Sequence, residues 1–391
     1  MEEPFDHAAP AFAQNPHAVF RRWRSIGAVR HGSERWPFVS LFRYNDVRRA
    51  LADWRTWSSD IPAIRDLLLG DAAVMVQDDP PRHTLFKRCL VNHLTPEALT
   101  RDGVQIAPIV EERVSALFKQ RADAVEEVGA QIAMDVVCGI LGLPDAEREY
   151  LRDWTNRFSR AVGAEFVSTD EQVLEAQRQA VGAIHDELSD YIRRWAHDGT
   201  GRTGLIEKSA AWPVESADRI GLLKSVAFAG NHTSAIMIAN VLWLFAEHGE
   251  QLRRLRAGGS IALALAEVFR FKSVFRGITR LATTDGCIQG VSFERGDNLL
   301  LWLTSANFDE HQYPDAEQFD ISRAGAPHLG FAAGIHHCIG APLARAEIAA
   351  LLDVLRRRAG RIVLDGAPRP ITDPWVDGFE KLELHIVETC T

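Results

Sequence analysis

Apolar positions recur along most of this chain at the spacing of helices. Between Thr95 and about Trp212, hydrophobic residues return every three or four positions, and strand patterns are nearly absent. Helix start signals punctuate the region: a capping threonine at Thr95, a proline at Pro144, and a capping box from Thr169 to Gln172. The pattern therefore predicts a succession of amphipathic helices.

Strand patterns are short and lie near the two ends of the chain. Val39 and Leu41 alternate with more polar neighbours, which predicts a strand or hairpin before a helix over 45–53. Apolar runs at 362–364 and 382–386 predict further strands. The fold class predicted is mainly α with a small β region.

Other N-terminal segments carry weaker patterns. The first 30 residues are interpreted as a polar lead-in followed by a short helix over 16–25. Residues 54–76 mix aromatic residues, Pro62 and an apolar cluster at 67–69, which is typical of either a surface loop or a pocket lid.

One long helix is predicted from about Ser216 to Glu247, apolar almost all round and therefore buried. Its segment 229–234 is out of character, because an interior glycine costs roughly 1 kcal/mol against alanine and consecutive polar residues are costly in an apolar setting. The sequence leaves two interpretations open. The segment either packs against another helix with its hydroxyls bonded to carbonyls, or it serves a function.

Composition limits the class of protein. With 391 residues, 46% hydrophobic and 25% charged, the chain is large enough to enclose a cofactor and a pocket in one core. The sequence contains no linker-like or low-complexity run, so residues 1–391 are interpreted as a single domain. A net charge of -9 without a basic stripe argues against nucleic acid as a partner.

The cysteines and termini point to a reducing compartment. Five widely spaced cysteines suit a cytoplasmic protein better than a disulfide framework. The first residues, from Met1, show no basic or apolar signal region, and no apolar run reaches membrane-spanning length. We therefore expect a soluble, cytoplasmic protein with no membrane partner.

The segment 328–345 concentrates the candidate chemistry. Gly334 and Gly340 are expected to let the backbone bend closely on both sides of Cys338, and an apolar helix follows from Leu343. Cys338 is thus predicted to lie at a helix N-terminus, where exposed N–H groups and the helix dipole stabilise a metal-binding thiolate.

The residues alone allow other interpretations of this loop. A zinc site on His336, His337 and Cys338 is disfavoured, because adjacent side chains point apart and spaced partner ligands are missing. A phosphate loop is disfavoured by the glycine spacing. A buried structural cysteine in a glycine-rich turn is the default interpretation of a lone cysteine.

The loop resembles a known family motif. Phe331, Gly334, His336, Cys338 and Gly340 match the F-G-x-G-x-H-x-C-x-G loop that supplies the haem-iron thiolate in cytochromes P450, with Ala332 in place of a glycine. The resemblance implies the cytochrome P450 fold and a haem b cofactor. It also implies that Cys338 is the iron ligand and that Phe331, Gly334 and His336 contact the cofactor.

Further motifs extend the resemblance over residues ~35 to 387. His83 and Lys87 match D-P-P-x-H-x-x-x-R with lysine for arginine, and together with Arg280 and His336 they would meet the haem propionates. Lysine offers a point charge where arginine offers a bidentate fork. Glu267 and Arg270 match the structural E-x-x-R pair.

Some positions depart from the family pattern around that pair. Gln318 stands where an arginine often completes a triad with the E-x-x-R pair, and Phe308 replaces the arginine of an A-N-R-D turn. The scaffold around the pair is therefore expected to be held differently.

The unusual segment of the long helix resembles the A-G-x-D/E-T-T stretch of the P450 oxygen-binding helix. Ala229, Gly230 and Thr233 match, while His232 replaces the acid. In the family the threonine orders a water and the acid helps to pass protons. The hypothesis is that Thr233 is essential for coupling and His232 assists it, since histidine also transfers protons near neutral pH.

The resemblance implies a monooxygenase that inserts one oxygen atom from O₂ into a hydrophobic small molecule. Electrons from NAD(P)H would arrive through a ferredoxin reductase and a ferredoxin, docking near Arg82, Lys87, Arg88 and Arg345. The substrate pocket implied by position is mostly apolar. Its residues are Val74, Met75, Ala229, Val274, Phe275, Ile278 and Trp375.

Two other functions stay open at this point. The first is a haem-thiolate enzyme that uses peroxide directly or couples substrates oxidatively, which the missing acid at His232 favours slightly. The second is a haem-binding sensor or carrier without turnover, which would not need the glycine and threonine at 230 and 233.

Overall fold

A computed structural model describes residues 5, 12, 15–32, 37–62, 75–165, 171–199, 203–325 and 327–389. Helices dominate it, as the apolar spacing predicts. The α-helices are α1 Pro16–Ile26, α2 Tyr44–Ala52, α3 Arg82–Leu90, α4 Pro96–Arg101, α5 Ile106–Val114, α6 Ala130–Leu141, α7 Arg148–Glu165, α8 Glu171–Asp198, α9 Leu205–Lys208, α10 Ser216–Glu247, α11 Gly249–Arg256, α12 Ile261–Phe271, α13 Leu303–Asn307 and α14 Ala341–Arg358.

Short strands form a small β region. They are β1 Ala28–Gly32, β2 Pro37–Leu41, β3 Trp57–Ser58, β4 Ala122–Asp123, β5 Ile278–Ala282, β6 Gly286–Ile288, β7 Val291–Phe293, β8 Asn298–Leu301, β9 Ala359–Leu364, β10 Arg369–Pro370, β11 Phe379–Lys381 and β12 Glu383–Glu388. The largest sheet has the order β1-β2-β8-β5-β3, and a second has the order β4-β12-β9. Strands β2 and β8 pair in parallel, whereas β5 and β8 pair antiparallel.

The predicted elements agree closely with these bounds. The helix predicted over 45–53 is α2, and the strands predicted at 362–364 and 382–386 are β9 and β12. Several positions used in the sequence analysis lie outside the described residues. They are Met1, the apolar cluster at 67–69, Val74, Thr169 and Cys390, so the loop or lid interpretation of 54–76 falls largely outside them as well. None of the helices in the described part of the chain is long and apolar enough to cross a membrane.

Helix α10 is the centre of the core, as predicted from its apolar circumference. It packs against α6, α8 and α14, and most of its side chains are buried. Gly230 permits the contact with α6, because a Cβ there would lie 2.9 Å from Cγ2 of Val137. The helix continues through Gly230 without a break.

The N-terminal segment corrects the sequence interpretation. Phe5 and Phe12, in the predicted polar lead-in, are 3% and 1% exposed. Both rings pack against Trp302, with centroids 5.7 and 5.3 Å away. Trp302 in turn stacks on Trp375 at 5.6 Å. Aromatic rings bury a large area each, so Phe5 and Phe12 contribute substantially to this part of the core.

Candidate active site

The segment 328–340 forms a closed loop before α14. The backbone N–H of Cys338 donates to the Phe331 carbonyl over 3.0 Å, and that of His337 donates to the Gly334 carbonyl over 3.2 Å. Cys338 itself is solvent-accessible, yet burial is the main influence on its thiol and raises its pKa. Both observations agree if the thiol faces open space inside the protein. N–H groups of Gly340 and Ala341 oppose the rise in pKa, as expected at a helix N-terminus.

Only one of the two flanking glycines is required by the backbone. Gly334 has φ +73°, and a Cβ there would lie 2.3 Å from the Leu51 carbonyl oxygen. Gly340 has φ -81°, and a Cβ there would make an ordinary contact of 3.8 Å with Cys338 Sγ. Ala332, which replaces a family glycine, has φ 55°. This left-handed conformation is unfavourable for alanine.

The buried pair Glu267 and Arg270 supports the loop. Arg270 Nε lies 2.7 Å from Glu267 Oε2, and both side chains are almost fully buried. Arg323 Nε donates to Glu267 Oε1 over 3.2 Å and thereby supplies the third charged member. The Gln318 carbonyl accepts from Arg323 over 3.0 Å and from Arg270 over 3.4 Å. The expectation of a different scaffold is thus met by an arginine displaced along the same loop.

Asn307 carries this support to the cysteine loop. Arg270 Nη1 donates to the Asn307 carbonyl over 2.8 Å, and the Asn307 side-chain oxygen accepts from the N–H of Leu329 over 2.7 Å. Asn307 Nδ2 also donates to Ser273 Oγ over 3.0 Å. The sequence analysis included this residue in the A-N-R-D turn but gave it no role of its own, and its burial explains the fixed hydrogen bonds.

Four predicted cofactor contacts lie in one region. The rings of His83 and His336 are 4.4 Å apart at their centroids, and both have pKa values lowered by burial, to about 3 for His336. Arg280 and Lys87 add to the lowering at His336 by their charge. Burial also lowers the pKa of Arg280 to about 10, with Asp79 opposing.

This region is positively charged and incompletely hydrogen-bonded. Within the described chain, His336 Nε2 has no hydrogen-bond partner and lies 3.9 Å from Asp79 Oδ1. Arg280 is 7% exposed, and its Nη1 donates to the Thr279 carbonyl over 2.7 Å. Lys87 Nζ donates to the Ile335 carbonyl over 2.7 Å, so it braces the cysteine loop. Buried cationic groups of this kind need an anion for compensation.

The zinc alternative finds no support in the geometry. His336 faces His83, whereas the ring centroid of His337 lies 6.3 Å from that of Phe331. Among the residues the structure describes, no three His, Cys, Asp or Glu side chains come together as ligands of a metal ion.

The unusual segment of α10 combines packing with an uncovered face. Thr233 Oγ1 donates to the Ala229 carbonyl over 2.7 Å, as the packing interpretation expects. Ala229 is nevertheless exposed and Thr233 half-buried, although this helix is otherwise mostly buried. The His232 ring stacks on Phe228 at 6.1 Å, and burial lowers the pKa of His232. Phe228 contacts Phe158 of α7 edge to face, so His232 is directed toward the helices that cover α10.

A buried carboxyl group lies next to this segment. Glu347 of α14 is 1% exposed, and its Oε2 accepts from Ser234 Oγ over 2.6 Å. Glu347 Oε1 has no partner among the described residues, and burial raises the pKa of this group to about 7. The sequence analysis missed it, although an acid between Ala346 and Ile348 on an apolar helix face was a detectable signal.

Three of the predicted pocket residues are brought together by backbone pairing. Phe275 and Val376 form an antiparallel bridge, and the N–H of Asp377 donates to the Val274 carbonyl over 2.7 Å. The Trp375 carbonyl accepts from the N–H of residue 276 over 2.8 Å. Phe275 is 41% exposed, unusual for a large apolar residue. The other described pocket candidates lie on separate elements. They are Met75 on a 3₁₀ turn, Ala229 on α10 and Ile278 on β5.

Comparison with known proteins identifies the family. The Cytochrome P450 family profile matches residues 262–359. Cyclomarin C epoxidase CymV of Salinispora arenicola is 30% identical over 395 residues, covering 96% of this chain and 98% of that protein. Mycinamicin IV hydroxylase/epoxidase of Micromonospora griseorubida is 30% identical over 374 residues, covering 91% and 90%. The chain belongs to the cytochrome P450 family.

Solved structures agree with this assignment. Cytochrome P450 CYP109Q5 from Chondromyces apiculatus is 28% identical, with a TM-score of 0.81 over 99% of each chain. The cytochrome P450 fold predicted from the motifs is thus confirmed. As a cytochrome P450 monooxygenase, the chain is an oxidoreductase, so the alternative of a haem sensor or carrier without turnover is set aside.

The residues present fit the haem-thiolate cofactor that the family implies. Haem b presents one iron and two carboxylates. A solvent-accessible cysteine thiol before a helix N-terminus and a buried cationic group with an unpartnered His336 nitrogen are complementary to it.

Proposed function

We propose that this P450 inserts one oxygen atom from O₂ into a hydrophobic small molecule, with Cys338 as the only protein ligand of its haem iron. The observation that carries the proposal is the position of the Cys338 thiol. It is solvent-accessible and lies just before the start of α14, where N–H groups of Gly340 and Ala341 act to stabilise its thiolate. Haem bound through a thiolate supplies the activation of oxygen.

The cationic region would bind the haem propionates. We assign this role to His83, Arg280 and His336, and we assign Lys87 to bracing the loop and to adding charge. Arg280 keeps its proton at neutral pH despite the lowered pKa of about 10. Neutral His336 can donate from Nε2, the nitrogen that has no partner elsewhere in the described chain. Phe331 and Gly334 would contact the haem and shape the loop that carries Cys338, since their carbonyls accept from the N–H groups of Cys338 and His337. Arg280→Ala should weaken haem retention, and unchanged retention would contradict this assignment.

Proton delivery is assigned to the exposed face of α10. Insertion of one oxygen atom reduces the other to water, which consumes two protons and two electrons. The Thr233 hydroxyl donates to Ala229, so its lone pairs remain available to accept from a water in the open space. Gly230 supports this arrangement by letting α10 pack closely on α6, where a Cβ would lie 2.9 Å from Cγ2 of Val137. His232 is neutral at pH 7, since burial lowers its pKa, and it can pass a proton from the side of α7.

The substrate class follows from the apolar lining and from what related proteins are named for. Relatives include a cyclomarin C epoxidase, a mycinamicin IV hydroxylase/epoxidase and a linalool 8-monooxygenase. We therefore propose a hydrophobic natural-product-like molecule as substrate. Val274, Phe275 and Trp375 would form one wall, with Met75, Ala229 and Ile278 on the other sides. A haem spin-state change on adding such molecules tests this.

Electrons are proposed to come from NAD(P)H through a ferredoxin reductase and a ferredoxin. Of the expected docking residues, Arg88 is exposed, whereas Arg82 is paired with Asp218 at 2.7 Å. Arg345 is half-buried over the Phe331 ring at 4.8 Å. Arg88 is therefore the main steering charge, and steering is salt-sensitive. Reduction rates that survive Arg88→Glu would contradict this part.

The central test is the identity of the iron ligand. Reduced protein with carbon monoxide should show the red-shifted Soret band of a thiolate carbonyl. Cys338→Ala should lose that band, and Cys287→Ala, which alters an exposed cysteine on β6, should keep it. Retention of the band in Cys338→Ala would overturn the assignment.

One observation favours a second candidate function. His232 replaces the family acid, and its ring is held against Phe228, which suits an enzyme that takes peroxide directly or couples substrates oxidatively. Comparing product formed with NAD(P)H, ferredoxin and reductase against product formed with peroxide separates the two candidates. A higher yield with peroxide would favour the second.

A further inference from the structure

One buried carboxylate outside the haem region connects the segments assigned to the substrate pocket. Asp377 is 6% exposed. Its Oδ1 lies 2.6 Å from Lys272 Nζ and 3.0 Å from Arg276 Nη2. Both cations are themselves largely buried, with side chains 15% and 7% exposed. Two buried cations therefore share one carboxylate oxygen.

The two cations bracket the pocket residues on their own segment. Val274 and Phe275 lie between Lys272 and Arg276 in the sequence. Arg276 is 6% exposed and held by Asp377, whereas its neighbour Phe275 is 41% exposed. The two adjacent side chains therefore lie in different surroundings.

The segment that carries Asp377 is fastened at several further points. Arg276 Nη1 donates to the Asp373 carbonyl over 2.9 Å, and the Trp375 N–H donates to Asp373 Oδ1 over 2.6 Å. These bonds add to the backbone bridge between Phe275 and Val376. The turn that presents Trp375 is thus bound to the 272–276 segment through side chains as well as backbone.

The same turn is pressed onto α10. Asn240 Nδ2 donates to the Asp377 carbonyl over 2.8 Å. Gly378 allows this approach, because a Cβ there would lie 2.4 Å from Cγ2 of Ile236. The wall is therefore fixed to the helix that also carries Thr233.

We propose that Asp377 is a positioning residue that holds the 272–276 and 373–378 segments together as one rigid wall, and so determines which ligands fit the pocket. The inference rests on the proposed function in that it takes Val274, Phe275 and Trp375 as substrate-facing. The charges support it. Burial acts to raise the pKa of Asp377, but Lys272 and Arg276 outweigh it and leave the pKa below its usual value. The carboxylate stays ionised and attracts both cations.

The test uses the haem-loaded protein and two ligands of different size. Asp377→Asn keeps the shape of the side chain and removes its charge. The control is Asp365→Asn, which alters a half-buried carboxylate paired with His385 at 2.7 Å, beside the β9 and β12 strands. Kd values for imidazole and 4-phenylimidazole are measured from the Soret shift. The ratio of the two Kd values depends on how well the pocket wall accommodates the larger ligand. Effects of a variant on haem binding in general change both Kd values and cancel in the ratio.

In Asp377→Asn we expect 4-phenylimidazole to bind about tenfold more weakly, with imidazole within about twofold of wild type; tenfold corresponds to about 1.4 kcal/mol. Asp365→Asn should leave the ratio unchanged. Hydrogen exchange at the amides of Arg276 and Asp377 should also become about tenfold faster in Asp377→Asn. An unchanged Kd ratio together with unchanged exchange would overturn the inference.

A milder variant keeps the test decisive if Asp377→Asn does not fold. Lys272→Gln leaves the pair of Arg276 and Asp377 intact and should change the ratio and the exchange in the same direction by a smaller factor. No change in either would refute the proposal. Failure of the proposed function is seen separately, as absence of the thiolate carbonyl band in wild type, and the exchange measurement remains valid in that case.

Discussion

The cysteine loop and the exposed face of α10 differ in how firmly their residues are held in place. The loop is held by many directed bonds, from Arg270 through Asn307 to Leu329, and by a glycine at 334 that nothing larger can replace. The α10 segment is an ordinary helix in which Thr233 donates to Ala229 and Ser234 donates to Glu347, while Ala229 stays exposed. The cysteine loop, which presents the thiol, is thus the more rigid region. The α10 segment keeps exposed surface at Ala229, which the proposed water-mediated proton path requires.

The largest expected effect comes from breaking the support of the loop. Arg270→Ala leaves Glu267 buried beside Arg323 alone, and removal of one partner of a buried pair costs about 3 to 5 kcal/mol. We expect poor yield of haem-loaded protein and a lower unfolding midpoint in denaturant. The control Arg356→Ala removes a half-exposed pair with Asp353 and should cost at most about 1 kcal/mol. Equal stability of the two variants would show that the support is not concentrated at Arg270.

The second effect lies where the two regions meet, at Glu347. Its folded pKa of about 7 is above the value near 4.5 of an unperturbed glutamic acid. The protonated form is therefore favoured by folding, and its contribution is fully present below pH 4.5 and lost as the pH rises through 7. The rise in the pKa of Glu347 corresponds to about 3 kcal/mol of unfolding free energy.

Glu347→Gln should remove this dependence. The variant is expected to gain stability relative to wild type as the pH rises from 5 to 8, measured as the difference in unfolding free energy at each pH. A difference that stays constant with pH would mean that Glu347 does not titrate in this range.

Substitution of Thr233 is expected to change stability little but to change the yield of peroxide clearly. Thr233→Ala removes one hydrogen bond to a helix carbonyl, which is worth about 1 kcal/mol or less. It should nevertheless divert reducing equivalents from product to peroxide by several-fold. Ser225→Ala is the matched control, since Ser225 donates to the Gly221 carbonyl on the same helix over 2.9 Å. Peroxide yields that rise equally in both variants would refute a specific role for Thr233.

His232 variants sharpen this result. His232→Ala should raise the peroxide yield less than Thr233→Ala, and His232→Asp should restore coupling. Equal product per NAD(P)H in wild type and His232→Ala across pH 6 to 8 would remove His232 from the path.

The sequence predicted more of the cysteine loop and its support than of the α10 segment, for physical reasons. Cys338, Glu267 and Arg270 belong to motifs of a few neighbouring residues, and such motifs can be recognised in a sequence. Arg323 was missed as the partner of Glu267, because that contact joins distant segments and the position next to Phe319 carries only Gln318. Phe5 and Phe12 were missed because the acidic, alanine and proline residues around the two rings form no clear helix or strand pattern.

The rest of the site depends on contacts between residues that are far apart in the sequence. The sequence gives no sign that Ser234 meets Glu347 or that Asp377 meets Lys272, since both pairs join residues of distant segments. The sequence left open whether the segment 229–234, which contains His232, packs against another helix or serves a function. The structure directs the His232 ring onto Phe228, a neighbour on the same helix face that spacing alone could have suggested.

The smallest effect is expected at Ala332, a residue of the cysteine loop with an unfavourable backbone conformation. Its φ of 55° lies in the left-handed region, where a Cβ costs about 1 to 2 kcal/mol. Ala332→Gly relieves this cost but adds freedom to the unfolded chain, worth about 0.5 to 1 kcal/mol. The net expectation is a gain of about 0.5 to 1 kcal/mol in unfolding free energy. The neighbouring change Ala333→Gly is the control, because φ -151° is extended backbone that alanine adopts freely. It should lose stability through the entropy cost alone. If both variants lose stability equally, the loop places no strain on Ala332, and the departure from the family glycine has no energetic consequence.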